Sequence, residues 1–299
     1  MHLIVLGAAA GGGSPQWNCM TPMSQMAWQN VATVGRRTQT SLAVSANDRD
    51  WLIINASPDF RQQILATPRL WPCRPNRHTP IQAVVLTSAE IDHIAGLLAM
   101  RENQAFTVYA AQSTLDVFAQ NPLFRALRQD VVTRSLLTPG VSQSIVGLNI
   151  TAFRVPGKVP LYQETQRAEH DFASDDHTLG VCIDDGKRRC CFISGCARMT
   201  PELYTELQQA DAVFFDGTLW RDDELIRLGV SQKTGKRMGH MSIDGPDGTL
   251  ASLTGLSASH KFLIHVNTTN PVLNAASVER AKVREFGWEV AHDGLEILL

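Results

Sequence analysis

Leu86-Thr87-Ser88-Ala89-Glu90-Ile91-Asp92-His93-Ile94-Ala95-Gly96-Leu97 joins two different hydrophobic patterns. Residues 81–87 read as a strand, continuously apolar from Ala83 to Leu86, as expected for a strand covered on both faces. Residues 94–100 continue with a helical pattern. Two carboxylates and an imidazole gather at the joint, where a rigid strand end commonly presents functional groups. Glu90 and Asp92 are two apart and share a face in extended backbone. His93 opens the helix. Local chemistry alone leaves a second reading open, an N-cap Asp beside a surface His.

Outward from the joint, residues 1–7 form an apolar strand running into Ala8-Ala9-Ala10-Gly11-Gly12-Gly13, a turn that needs close backbone approach or positive φ. Ser14-Pro15-Gln16-Trp17 follows instead of a helical pattern, so a dinucleotide-binding loop is disfavoured. Residues 40–45 and 50–55 read as strands around an Asn-Asp-Arg-Asp turn, 58–65 as a helix, 106–110 as a strand and 113–119 as a helix. Residues 150–155 form a strand, and 179–194 a hairpin about Asp184-Asp185-Gly186-Lys187. Thr200-Pro201-Glu202 starts a helix with a hydroxyl cap, Pro in the first turn and an acid behind it. Strands at 211–216, 261–266 and 288–292 and a helix at 277–286 complete the pattern. This is an α/β chain with no linker or low-complexity stretch, read as one domain over residues 1–299.

Composition narrows the function. The chain has 299 residues, 44% of them hydrophobic, enough for a large core. With 27 basic against 29 acidic residues it offers no broad cationic field, so no nucleic acid partner is expected. No apolar run reaches the ~20 residues of a membrane span, and the first residues lack a basic leader, so a cytoplasmic location is expected. Six scattered cysteines (Cys19, Cys73, Cys182, Cys190, Cys191, Cys196) are expected to be free thiols.

The joint resembles a turn of the metallo-β-lactamase superfamily, whose H-x-H-x-D-H motif would fall on Ser88, Glu90, Asp92 and His93. The two leading histidines are replaced and the last two residues remain. Other segments follow the superfamily's phosphodiesterase branch in order. Leu52-Ile53-Ile54-Asn55 resembles a strand ending in a structural Asp. Phe192-Ile193-Ser194-Gly195-Cys196 resembles a Ser-Gly-Asp motif whose Asp bridges two metals, with Cys196 in its place. Residues 211–218, Gly239-His240-Met241-Ser242, the terminal histidine of Leu263-Ile264-His265 and the His292-Asp293-Gly294 turn follow.

More narrowly, the chain resembles the pyrroloquinoline quinone (PQQ) biosynthesis protein B family. The likeness is carried by Gly-Gly-Gly-Ser-Pro-Gln-Trp-Asn-Cys at 11–19, Arg37-Thr38-Gln39, Asn55-Ala56-Ser57-Pro58-Asp59, Ser88 to His93, residues 155–162, Phe215-Asp216-Gly217-Thr218-Leu219-Trp220, Gly239-His240-Met241 and residues 265–271.

That resemblance implies a four-layer αββα sandwich of two mixed sheets flanked by helices. It implies iron- and dioxygen-dependent hydroxylation of the tyrosine ring of a glutamate–tyrosine precursor, alongside the other PQQ biosynthesis enzymes. Two alternatives stand beside it: a non-catalytic carrier moving PQQ or its precursor toward the periplasm, and a divergent metal-dependent phosphodiesterase. A homodimer is left open.

Loss of both leading histidines and of the bridging Asp argues against a two-zinc hydrolase. The remaining imidazoles and carboxylates suit one Fe(II), with zinc as the alternative occupant. Asp92, His93 and His265 are the expected ligands, with Glu90 a ligand or a base. Asp216 is expected to replace the bridging carboxylate or to orient a ligand histidine, and His240 to move a proton near neutral pH. Arg37 and Lys158 are candidates to hold substrate carboxylates, against the plainer reading of exposed charges. His170 and His177 read as part of a solvated acidic loop; His2, His78 and His260 as surface residues; Trp17, Trp28 and Trp220 as core. The family's C-x-C-x-x-C cluster is reduced here to Cys19-Met20-Thr21-Pro22-Met23-Ser24, so its auxiliary structural zinc is expected to be absent and Cys19 to be a packed or free thiol.

Overall fold

In the computed structural model, which describes residues 1–164 and 175–299, six strands come first. β1 (His2–Gly7), β2 (Ser41–Ser45), β3 (Trp51–Ile54), β4 (Ile81–Val85), β5 (Phe106–Ala110) and β6 (Val132–Leu136) lie side by side in chain order. A second sheet follows in the same manner: β7 (Ser142–Ile145), β8 (Leu148–Arg154), β9 (Leu179–Asp184), β10 (Arg189–Phe192), β11 (Ala212–Asp216), β12 (His260–Ile264) and β13 (Glu289–Val290). β14 (Glu296–Leu298) then returns to pair with β1.

Each sheet changes character part-way along. β1–β2–β3 and β7–β8–β9–β10 pair antiparallel. β3–β4–β5–β6 and β10–β11–β12–β13 pair parallel. Parallel neighbours need crossovers, and the helices fall there: Phe60–Ala66, Gln112–Gln120, Pro201–Gln208 and Val278–Glu285.

The burial of β1 shows how the layers arise. All six of its residues are buried. Leu3 and Val5 join Leu52, Ile54, Ile150, Val181, Phe192 and Phe214 in the core between the sheets. Ile4 and Leu6 point the other way, toward a cluster containing Leu97 and Phe118. On the outer face of the second sheet, Val213, Phe215 and Leu263 meet Leu203, Leu207 and Val283. Strands covered on both faces have no polar stripe, and each fully buried large side chain contributes about 1.5–3 kcal/mol. The four-layer αββα sandwich expected from the sequence is the observed architecture.

Several local readings are corrected. β6, β7 and β14 were not expected; β6 and β7 are edge strands with mostly polar or half-exposed residues, which weakens the alternating signal. Residues 95–100 continue the helix at the joint as 3-10 turns. A short helix, Pro22–Trp28, was also unforeseen. Cys182 and Cys191 form a disulfide instead of free thiols, because the β9–β10 register sets them directly opposite, with Cα atoms 4.2 Å apart. His2 is buried, because β1 is paired on both sides and its ring tilts against Trp51. Trp17 is 82% exposed and Trp28 40%, so only Trp220 of the three is core.

One glycine is fixed by a close approach. The Gly96 N–H donates to Ala56 O at 2.8 Å, and a Cβ on Gly96 would lie 2.1 Å from Ser57 O. Gly96→Ala is expected to lower stability by about 1–3 kcal/mol, measured by thermal or urea unfolding.

A second prediction concerns pH. The Glu224 carboxyl is buried, accepts the Trp220 N–H at 2.7 Å and the Thr269 hydroxyl, and is pushed up by burial to about 7. The native state therefore keeps a proton that the unfolded chain releases near 4.5. Its contribution is fully present below that value and lost as pH rises through 7. Glu224→Gln, a mimic of the protonated acid, is expected to remove this slope. Its stability relative to the unsubstituted protein should rise by about 1–3 kcal/mol between pH 4.5 and 8.

Candidate metal centre

The C-terminal ends of β4, β11 and β12 point into one cavity of about 270 Å³. β4 leads through Thr87 to the short helix Ile91–Ile94, which carries Asp92 and His93. Asn55, just beyond β3, adopts left-handed backbone with φ 60°, a conformation Asn tolerates. Its side chain accepts the Thr87 N–H and donates to the Thr87 hydroxyl, both at 2.9 Å. The Ala56 N–H donates to His93 O at 2.8 Å. The joint is thus clamped from the neighbouring strand. His93 Nδ1 lies 2.7 Å from Ser88 Oγ, which turns Nε2 toward Asp92 Oδ2 at 3.7 Å.

His265 follows β12 and is itself left-handed, with φ 60°. For a residue with a Cβ this conformation stores on the order of 1 kcal/mol and persists only when its surroundings hold it. Here the Gly217 N–H donates to Ile264 O at 2.7 Å and the Val266 N–H to Ala8 O at 2.9 Å, fixing the chain on both sides of it. The turn brings His265 Nε2 to 3.0 Å from Asp92 Oδ2.

Asp216 ends β11 and is fully buried. Its Oδ2 accepts the Cys196 N–H at 2.9 Å, and its Oδ1 accepts the Thr218 N–H at 3.0 Å and the Thr218 hydroxyl at 2.6 Å. His240, following left-handed Gly239, sets Nδ1 2.8 Å from Asp216 Oδ2. Thr218 Oγ1 lies 2.8 Å from His265 Nδ1. Because that hydroxyl gives its proton to Asp216, it receives one from His265 Nδ1–H. A neutral His265 then turns a lone pair on Nε2 toward the Asp92 carboxylate. Two acceptors 3.0 Å apart require a positive charge between them, a proton on the imidazole or a cation.

The electrostatics agree. Burial alone would raise the Asp92 carboxyl, but His93 and His265 hold it far below the usual carboxylate range. Burial lowers the His93 imidazole against the opposing pull of Asp92. Burial also acts to lower His265, yet the hydrogen bond and charge of Asp92 raise it above its ordinary value. Two donor sets result, Asp92–His93–His265 and Asp216–His240–His265, each with ligand atoms within 4.8 Å of one another. Each offers two imidazole nitrogens and a carboxylate, donors that suit iron or zinc.

Of the residues singled out by sequence, the structure brings Asp92, His93, His265, Asp216 and His240 together. Glu90 lines the cavity but stands outside both donor sets; its carboxylate meets Lys158 Nζ at 2.5 Å. Lys158 lines the same cavity and is largely buried, not an exposed charge. Arg37 is a correction. Its guanidinium is buried, donates to the Ala291 and Gly35 carbonyls at 3.2 and 2.9 Å, and does not line the cavity.

Burial pushes the Cys196 thiol up, keeping it neutral, and its Sγ lies 3.1 Å from Arg198 O. Only its backbone serves the site. His177 is half-buried beside Asp175; His170 lies outside the described residues. Cys19 Sγ sits 3.2 Å from the Thr21 hydroxyl. Sequence reasoning missed Ser88 and Thr218 as orienting hydroxyls. The signal for Ser88 was its place in the motif where a histidine would stand.

Thr218→Val keeps the side-chain shape and removes the shared hydroxyl. It is expected to weaken Zn(II) or Fe(II) binding 10–100-fold, measured by competition with a chelating indicator.

A model of the beta-lactamase superfamily domain matches residues 50–266. The chain is 59% identical over 299 residues to the coenzyme PQQ synthesis protein B of Xanthomonas campestris pv. campestris (strain B100), covering all of both chains. It is 46% identical over 298 residues to the protein of that name from Methylorubrum extorquens, covering 99% of each. Among solved structures, Zn(2+)-bound PqqB from Methylobacterium extorquens matches with a TM-score of 0.97 at 46% identity over 100% of each chain. A diphosphatase from the PhnP family matches with a TM-score of 0.67 at 18% identity, over 100% of this chain and 97% of that one, a likeness of fold.

Proposed function

The chain belongs to the coenzyme PQQ synthesis protein B family of the beta-lactamase superfamily, and on that premise we propose that it hydroxylates the tyrosine ring of a glutamate–tyrosine precursor of PQQ, using iron and dioxygen. The observation that carries this reading is the Asp92–His93–His265 set at the cavity. Two imidazoles and one carboxylate with open positions are the donors that non-haem Fe(II) oxygenases use. Iron held there would supply the activation of dioxygen. One oxygen atom enters a ring C–H bond as hydroxyl; the other leaves as water with two protons and two electrons from an external reductant such as ascorbate.

The chain's own residues have separate tasks in this proposal. Ser88 and Thr218 hold the ligand imidazoles by their Nδ1 atoms. Asp216 anchors Nδ1 of His240, leaving Nε2 as the atom that takes the phenol proton. The Glu90–Lys158 pair sits on the cavity wall, where Lys158 can meet a substrate carboxylate. One metal is favoured over a phosphodiesterase pair because Ser88 orients a ligand instead of being one, and the neutral Cys196 thiol faces a backbone carbonyl. Thr21 and Ser24 in place of thiolates leave Cys19 unable to complete the auxiliary zinc site.

The test loads the protein with Fe(II) anaerobically, adds a cross-linked glutamate–tyrosine precursor and ascorbate, and then admits dioxygen. Mass spectrometry is expected to find added oxygen with the unsubstituted protein and at least a 100-fold lower yield with His93→Ala. No added oxygen, with iron bound and authentic precursor present, would overturn the oxygenase reading in favour of the carrier.

A further inference from the structure

Glu164 lies on the rim of the same cavity, and its side chain is only 10% exposed. Three cations converge on its carboxylate: Lys158 Nζ at 3.2 Å, Lys233 Nζ at 2.7 Å and Arg237 Nη2 at 3.4 Å. They come from two distant stretches of chain, one following β8 and one leading to Gly239 and His240. Glu90 takes the other side of Lys158. Among the described residues, three cations thus face two carboxylates.

The fit is incomplete in a telling way. Among the described residues, no well-aligned hydrogen-bond donor reaches Oε1 of Glu164, which Lys158 Nζ meets by charge at 3.2 Å. Burial alone would raise the Glu164 carboxyl, but Lys233 and Lys158 hold it below its ordinary value, so it stands there as an anion. The cluster is arranged around a carboxylate, and one oxygen of the carboxylate present is held by charge more than by a well-aligned hydrogen bond.

We propose that Lys158 and Lys233 on the cavity wall, with Arg237 behind them on the same carboxylate, form a carboxylate-binding subsite, and that Glu164 fills it in the ligand-free protein and is displaced by a carboxylate of the substrate. This rests on the reading of the protein as one that binds PQQ or its precursors, and it deepens that reading by naming which part of the cavity takes the ligand's charge. Glu164 is then an internal competitor. It keeps three cations from repelling one another in the empty cavity, and it sets a threshold that a neutral aromatic compound cannot pass by charge.

A structural anchor and a competitor predict opposite outcomes for the same substitution. If Glu164 only holds Lys158 and Lys233 in place, Glu164→Gln loosens them and weakens binding of an anion. If it competes, Glu164→Gln keeps the shape, removes the rival charge and strengthens binding.

The experiment titrates PQQ, and separately its trimethyl ester, into the full-length protein and follows fluorescence quenching at low salt. Thermal melts verify that each variant is folded; the Lys233 side chain is 36% exposed, so its replacement sits at the surface. Glu164→Gln is expected to bind PQQ about 3–10-fold more tightly, and Lys233→Ala and Arg237→Ala each about 5–10-fold more weakly. The ester should respond to none of the three. Weaker PQQ binding by Glu164→Gln overturns the competitor role, and unchanged binding across all three variants overturns the subsite, in both cases with the PQQ reading intact. Failure of the unsubstituted protein to bind PQQ overturns that reading and the subsite with it.

Discussion

The contact between Asp92 Oδ2 and His265 Nε2, 3.0 Å long, joins groups that the chain supplies 173 residues apart and from different sheets. Asp92 follows β4 of the first sheet and His265 follows β12 of the second. Neither residue has a favourable place without the other. The carboxylate is largely buried, and a charge so placed must be paired. The histidine backbone is left-handed and must be held. The core between the sheets fixes their separation, and the turns after the parallel strands set the ends against each other. The site is therefore a consequence of closing the sandwich, not an addition to its surface.

The hydroxyl of Thr218 extends the same constraint. It touches Asp216, His240 and His265, and a single proton determines how the three are arranged. Giving that proton to Asp216 assigns the tautomer of His265 and so the atom facing Asp92. This places the two donor sets in series: a rearrangement at Asp216 or His240 is felt at Asp92 through one hydroxyl and one imidazole.

Much of this was legible in the sequence, for identifiable reasons. Continuous apolar runs marked β1 and β4, because strands covered on both faces carry no polar alternation to blur them. Asp92 and His93 stood out as polar groups gathered at a strand-to-helix joint, and His265 was read only from the family resemblance. Failures came where the signal depends on a partner elsewhere in the chain. Cys182 and Cys191 look like any two cysteines until the β9–β10 register sets them opposite. Arg37 looked like a ligand-binding cation because nothing nearby in sequence announces that the Ala291 carbonyl, 254 residues away, will receive it. Glu164, Lys233 and Arg237 drew no notice because surface charges of that kind are common and only the fold brings them together.

Charge arrangement at the cavity separates its two halves. Deep in it, Asp92 stands among His93, His240 and His265, with the buried carboxylate of Asp216 behind His240. Such a floor attracts a cation and repels an anion. On the rim, Lys158 and Lys233 stand beside Glu90 and Glu164, with Arg237 behind Glu164. A ligand bearing carboxylates would therefore be oriented before any contact specific to its ring is made, its charges held at the rim and its less charged part directed inward. On the proposed reading, a floor suited to a cation and a rim suited to carboxylates give one cavity two opposite selectivities. The orientation follows because reversing the ligand would set like charges together at both ends, in surroundings where burial makes that costly.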